Sequence, residues 1–394
     1  LEVEEAVEVE HEAGTAGPVR GATGPVLIRP RAFYQPELDG LRFYAFLGVF
    51  LFHSLPAKSS FYQRFHLPLP GIWGAMVKAG AAGVDLFFAL SAFLITSLLL
   101  REAAQSAGIS LRLFYIRRTL RIWPLYFAVL GLGVLLAQTV PGQRLPWYYI
   151  AGYALFLGNW VSAACGHPDS ICAPMWTVSI EEQFYLVWPL LMKVLSRRGM
   201  IVAATVIFAL ATISRMAWML AGQSGGFLYY GSTSRADSLA LGILLALFVD
   251  RLPRLTRSMR LLILGWGLTG WMVAAAWLNE QPGPVDMRMV MGHLLVAVCA
   301  GAILYAGLGS TSPWLRHPWL IRLGKMSYGL YMLHLTGILI AVRLLHPIWG
   351  WQLLAGKVLG LVLTVILAWA SYRWFESPFL RWKDRFARVL SRPV

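Results

Sequence analysis

The stretch "LDGLRFYAFLGVFLFHSLP", residues 38–56, decides the fold. It has the length and apolar content of a membrane span, for which about 20 residues suffice, yet it carries Arg42 and His53. Ionisable side chains inside a span are costly unless they are paired or wetted. These two are eleven residues apart, close to three helical turns, so on a helix they share one face about 16 Å apart. An obligate cation and a titratable ring on one face of an apolar helix therefore point to a polar path inside a membrane domain.

Working outward, the rest of the chain repeats the span signal. Of its 394 residues 58% are hydrophobic and 13% charged, with a mean hydropathy of +0.61. Soluble domains carry about a quarter charged residues. Runs such as "RIWPLYFAVLGLGVLLAQTV", "IVAATVIFALATISRMAWML" and "LLILGWGLTGWMVAAAWL" recur between residues 38 and 375 with short connections. We read one all-α polytopic membrane protein and not a globular enzyme on an anchor.

A net charge of +15 in a soluble protein would indicate nucleic acid. Here Lys and Arg gather in alternate loops, as positive-inside orientation demands. The clusters are Arg101 to Arg121, Lys193 to Arg198, Arg251 to Arg260, Arg316 to Lys325, and Arg381 to Arg392. Placing them all inside gives ten full spans, with residues 147–160 re-entrant or shallow and 161–175 outside. Both termini are then cytoplasmic. Re-entrant backbone must be buried in protein or line a cavity, which hints at a site nearby. Residues 1–30 read as an acidic solvated tail, 31–385 as the membrane domain and 386–394 as a basic cytoplasmic tail. No apolar segment precedes the first span, so no cleaved signal peptide is expected.

Three cysteines are too few for a disulfide scaffold. Cys165 and Cys172 flank "GHPDSI" in a loop expected outside, where oxidation is permitted, and a local disulfide is the first reading. Zinc held by these cysteines and His167 is a weaker alternative because a fourth ligand is missing; no metal is expected.

Polar and ionisable residues inside spans carry the functional signal. Besides Arg42 and His53 these are Asp85 and Ser91 in "GVDLFFALSAFLITSLLL", Ser179, Glu181 and Glu182 in "MWTVSIEEQFYLVWPLLM", and His334 in "SYGLYMLHL". A histidine with buried acids is what general acid–base chemistry needs, since a carboxylate orients the imidazole and steadies its cation. Arg235, Asp237 and His293 read more simply as polar residues that satisfy neighbouring helices. Transporters concentrate similar groups at mid-membrane, so a flippase or exporter for a sugar-linked lipid or small molecule remains the competing class.

Several stretches together resemble the acyltransferase 3 family of integral-membrane acyltransferases, over residues 34–385. "PELDGLRFYAFLGVFLFH" is similar to its opening helix with Arg, ten residues and His. "GVDLFFALSAFLIT" follows, with Ala92 where Gly is common. "FYIRRTLRIWPLYF" supplies an Arg-x-x-Arg pair, Arg118 and Arg121. "WTVSIEEQFYLVWPLL" has Thr177 where Ser is frequent, and "MSYGLYMLHL" and "SYRWFESPFLR" complete the order.

The resemblance implies transfer of an acyl group from cytoplasmic acyl-CoA to a hydroxyl, often on a sugar, at the bacterial cytoplasmic membrane. Acyl-CoA is then a co-substrate and no tightly bound cofactor is expected. Arg117, Arg118 and Arg121 are the expected acyl-CoA contacts, because guanidinium forks match phosphate oxygens and stay charged. We expect His53 as general base, with Glu182 orienting it or binding the acceptor. Arg42 lines the inner passage or pairs with Asp39, Asp85 or a phosphate. Ser179, Ser91 and Arg42 are candidate donors to the thioester oxyanion; Asp85, Ser91, Glu181 and His334 are expected to line the site.

The sequence has no Gly-x-Ser-x-Gly elbow, Walker A loop, Gly-x-Gly-x-x-Gly fingerprint or His-Glu-x-x-His motif. The chain ends soon after its last expected span, so transfer is expected within the membrane domain itself. Acetyl is the first expectation for the acyl group, with propionyl or a branched acyl as alternatives. The acceptor stays open between a macrolide-type natural product and a cell-envelope glycan.

Overall fold

The computed structural model describes residues 34–106, 108–278, 285–346 and 350–387. The acidic tail and nearly all of the basic C-terminal tail expected from the sequence lie outside the described residues. Helices make up the described chain, and ten of them have 13 residues or more. We label these α1 (Pro36–Ser54), α2 (Gly83–Gln105), α3 (Leu111–Thr139), α4 (Met175–Val194), α5 (Arg197–Leu220), α6 (Ala236–Phe248), α7 (Arg257–Trp277), α8 (Met287–Gly307), α9 (Ser327–Leu345) and α10 (Gly350–Ala370).

Seven helical stretches among the described residues are long and apolar enough to cross a membrane; they contain α2, α3, α5, α7, α8, α9 and α10. Three of the ten long helices fall short of that measure, each for a physical reason. Helix α1 holds Glu37, Asp39 and Arg42, α4 holds Glu181, Glu182 and Gln183, and α6 has only 13 residues. The shortfall in α1 and α4 comes from the polar residues singled out in the sequence.

The surface is turned inside out relative to a soluble protein. In α5 and α7 only 22% of the most apolar window is buried, with Val202, Val206, Leu210, Ile213, Leu261 and Leu262 exposed. Meanwhile Asp85, Arg215, Arg235 and Asp237 are buried. Apolar exterior and paired interior charges are what a hydrocarbon solvent selects.

Helix α2 is the most enclosed, 72% buried in its window, and packs on α1, α4, α6 and α8. Helix α1 packs on α2 and α9. Its start is pinned by Pro36 in the first turn, which suits a helix N-terminus. Glu37 there accepts from the Gly309 amide (3.0 Å) and from Arg316 (2.8 Å). Close approach of α1 to the turn before α2 requires glycine: a Cβ on Gly80 would fall on the Gly48 carbonyl oxygen.

Residues 147–160 form no full span. Two eight-residue helices, Trp147–Ala154 and Gly158–Cys165, reverse at Phe156, whose φ is +56°. Each is about 12 Å long, too short to cross. Gln183 of α4 holds this pair in place, donating to the Phe156 carbonyl (2.7 Å) and to Asn159 (2.9 Å).

The expected Cys165–Cys172 disulfide is absent. Cys165 is exposed at the end of its short helix, whereas Cys172 is buried with Sγ 3.7 Å from the Val129 carbonyl. Burial pushes the Cys172 thiol up to about 11, so it stays protonated and inert. Among the described residues no cluster of His, Cys, Asp and Glu is arranged to hold a metal ion.

Candidate active site

Helix α1 puts its two unusual residues into different cavities. Arg42 lines a cavity of about 220 Å³ together with Ser91, Arg117, Arg118, Arg121 and Glu181. His53, three turns on, lines a second cavity of about 650 Å³ with Asp85, Trp176, Tyr229, Arg235 and His293. Val84 and Tyr331 line both, so the two cavities share a wall inside the bundle.

The first cavity is basic, and its arginines differ in how they are engaged. Arg117 is buried and fully tied: it donates to Glu102 (2.8 Å) and to the Phe386 carbonyl (2.9 Å). It thereby fastens the C-terminal segment to the start of α3. Arg118 lies over the rings of Phe114 (5.5 Å) and Tyr185 (5.3 Å). Among the described residues neither Arg118 nor Arg121 has a carboxylate within salt-bridge distance, and both line the cavity. Arg42 sits 3.6 Å from Asp39, one of the partners expected for it.

Deeper in this cavity a hydrogen-bond chain runs from Ser91 to Tyr185 (2.5 Å) and from Tyr185 to Glu181 Oε2 (3.1 Å). Because the carboxylate accepts from Tyr185, Ser91 is the donor to the phenol oxygen. Ser91 is thus committed, and of the two adjacent glutamates Glu181, not Glu182, lines the cavity.

His53 is set by two partners. Its Nδ1 is 2.9 Å from the Val49 carbonyl and 3.3 Å from Nε2 of His334. Nδ1 of His334 is 2.6 Å from the Tyr331 carbonyl. A carbonyl only accepts, so each ring carries its proton on Nδ1. His334 Nε2 then offers a lone pair to the His53 Nδ1–H, and His53 Nε2 is left bare. No described residue hydrogen-bonds that nitrogen, and the ring is exposed to the larger cavity. His53 is thus an imidazole with a bare nitrogen, backed by a second, fully buried imidazole.

Two expectations are corrected here. Glu182 does not orient His53: it accepts from Trp123 Nε1 (3.1 Å) on α3 and lines neither cavity. One residue along a helix turns a side chain by about 100°, enough to separate Glu182 from the cavity that Glu181 enters. Ser179 is buried and donates to the Met175 carbonyl one turn back (3.3 Å), away from both cavities.

Asp85 does line the site, held by Arg235 (2.9 Å) and Ser238 (2.9 Å). Arg235 also donates to His293 Nδ1 (2.7 Å), and Arg215 pairs with Asp237 (2.8 Å) beside them. Arg235, Asp237 and His293 do satisfy neighbouring helices, as expected; what the sequence does not show is that they join in one network through Ser238 and Asp85, with Arg235 and His293 at the wall of the larger cavity. Tyr185 and Tyr331 were missed as well. Their signal was positional: Tyr185 lies one turn after Glu181, and Tyr331 one turn before His334. The aromatic lining by Trp176, Tyr229 and Tyr230 had no signal at all, because aromatic residues are common in every span of this chain.

The profile of the acyltransferase 3 family, described as an acyltransferase domain, matches residues 35–373. The chain is 28% identical over 381 residues to the provisionally named peptidoglycan O-acetyltransferase YrhL of Bacillus subtilis (strain 168), covering 88% of this chain and 55% of that protein. It is 26% identical over 380 residues to the peptidoglycan O-acetyltransferase OatA of Listeria monocytogenes serovar 1/2a (strain ATCC BAA-679 / EGD-e), covering 88% and 56%. The chain thus spans little more than half the length of these curated relatives. No solved structure matches it. With five of its six sequence motifs lining two cavities and the family profile covering most of its length, the chain belongs to the acyltransferase 3 family of membrane acyltransferases.

Proposed function

We propose that this chain transfers a short acyl group, acetyl in the first instance, from acyl-CoA held in the basic cavity to a hydroxyl of a sugar-containing acceptor in the aromatic one. The observation that carries this reading is the shared wall at Val84 and Tyr331, with Arg118 and Arg121, which have no carboxylate at salt-bridge distance among the described residues, on one side and Nε2 of His53, which no described residue hydrogen-bonds, on the other.

The chemistry follows from the groups present. Arg118 and Arg121 suit the phosphates of CoA, and the apolar residues Leu38, Phe87, Leu94 and Leu98 of the same cavity suit a pantetheine arm. Positive-inside orientation puts this cavity at the cytoplasmic face. His53 Nε2 removes the acceptor's hydroxyl proton as the oxygen attacks the thioester carbonyl. The carbonyl carbon gains an oxygen substituent, the oxyanion collapses, and the carbon–sulfur bond breaks. The departing thiolate takes the proton from His53. While His53 carries that proton, its Nδ1–H is held by Val49 and His334, which steadies the imidazolium.

The larger cavity's aromatic walls match the apolar faces of sugar rings, and its few convergent polar groups match their hydroxyls. Relatives named peptidoglycan O-acetyltransferases make an envelope glycan the first acceptor to try. A glycosylated macrolide is the other. Family membership disfavours the transporter class. The test is mass spectrometry of purified protein given an acyl-CoA panel with each acceptor pool, run beside His53→Ala. An acylated product lost in the variant supports the proposal, and no product from any combination overturns it.

A further inference from the structure

The cavity that holds His53 contains two further imidazoles, His167 and His293, and the hydrogen-bonding state of His293 is dictated by its neighbour. His293 of α8 is buried, 2% exposed, and its Nδ1 lies 2.7 Å from Nη1 of Arg235. A guanidinium has only donors and never gives up its charge. Nδ1 must therefore supply the lone pair, which leaves the ring neutral with its proton on Nε2. A doubly protonated imidazolium has no lone pair to offer and cannot make this contact.

Arg235 is itself rigidly placed. Its Nη2 donates to Asp85 (2.9 Å), whose other oxygen accepts from Ser238 (2.9 Å), and its guanidinium lies over Tyr229 (5.2 Å) and Trp176 (5.9 Å). With Arg215 paired to Asp237 (2.8 Å), two cations meet two carboxylates, so His293 is not needed to balance charge. No described residue hydrogen-bonds His293 Nε2, while the ring lines the same cavity as His53.

We propose that His293 is an acceptor-positioning residue, locked by Arg235 as an Nε2–H donor to a sugar oxygen in the aromatic cavity. The inference rests on the acyltransfer reading above and deepens it. His53 presents a bare nitrogen and His293 a fixed N–H, so one cavity holds an imidazole acceptor and an imidazole donor of opposite tautomer. An acceptor stacked on Trp176 and Tyr229 meets both, one at the reacting hydroxyl and one at a second oxygen.

Two isosteres separate the binding role from a structural one. In His293→Asn the amide oxygen replaces Nδ1 and keeps the bond to Arg235, but the distal donor is gone. In His293→Gln the amide nitrogen replaces Nε2 and keeps the donor, but Nη1 of Arg235 loses its partner. Each variant is assayed as full chain in detergent with acetyl-CoA and whichever pool, peptidoglycan oligosaccharides or glycosylated macrolides, gives product with the unaltered protein. We expect Asn to keep the melting temperature and raise the acceptor KM about tenfold, the scale of one lost buried hydrogen bond. Gln should keep the acceptor KM within about threefold and melt lower. The KM for acetyl-CoA should stay unchanged in both. If Asn matches the unaltered protein while Gln loses both stability and affinity, His293 serves only Arg235 and the inference fails. If the unaltered protein acylates neither pool, the acyltransfer reading fails first.

Discussion

Nε2 of His334 lies 3.3 Å from Nδ1 of His53, joining the last turn of α1 to the middle of α9 across the bundle. The pair gives the expected base a neutral imidazole as its support, in the place where a carboxylate was expected. His334→Phe removes the lone pair facing His53 while preserving an aromatic ring. It should lower kcat about 10- to 100-fold, a part of the roughly 10²–10⁴ that general-base catalysis contributes, and leave the acyl-CoA KM unchanged. His334→Gln, whose amide oxygen accepts, should recover part of the loss. Steady-state kinetics checks both.

The arginines of the basic cavity should separate by role. Arg121→Ala removes a guanidinium with no carboxylate at salt-bridge distance among the described residues and should raise the acyl-CoA KM about tenfold, the penalty shrinking at high salt. Arg117→Ala removes the buried clasp on Glu102 and Phe386. It should lower the melting temperature because it leaves Glu102 buried and unpaired. Titrations of acyl-CoA at two ionic strengths, beside thermal melts, distinguish them.

Gly80→Val tests the approach of α1 to α2. A side chain there meets the Gly48 backbone, which cannot move aside as a flexible side chain would. Overpacking of this kind costs about 1–3 kcal/mol, so the variant should melt lower and lose activity through displaced His53. Gly80→Ala should show the same direction to a smaller extent.

Cysteine chemistry gives a prediction opposite to the disulfide reading. Cys165 is exposed and Cys172 buried, so a membrane-impermeant maleimide should label Cys165 and spare Cys172 without prior reduction. The double variant Cys165→Ser with Cys172→Ser should melt as the unaltered protein does in the absence and presence of reductant.

The sequence disclosed the class of the fold because bilayer thickness writes itself into apolar run length. It also disclosed Arg42 and His53, since a charge in an apolar run stands out against its surroundings, whereas Arg118 and Arg121 came only from the Arg-x-x-Arg resemblance within a basic stretch. Partnership was harder to see. Glu181 and Glu182 are adjacent, and only helix rotation sends one into the cavity and the other to Trp123. His334 and His53 are 281 positions apart, a distance across which no periodicity carries information. Arg235 and His293 looked like separate polar residues because their common purpose exists only where α6, α8 and α2 meet.

The central claim is that the acyl group crosses the wall between the two cavities. The most direct measurement uses sealed vesicles containing the purified chain, its orientation read from Cys165 labelling. Labelled acetyl-CoA is supplied only on the arginine side and the acceptor only on the opposite side. We predict labelled product on the acceptor's side, lost in His53→Ala. Product formed only when donor and acceptor share one side would contradict the account.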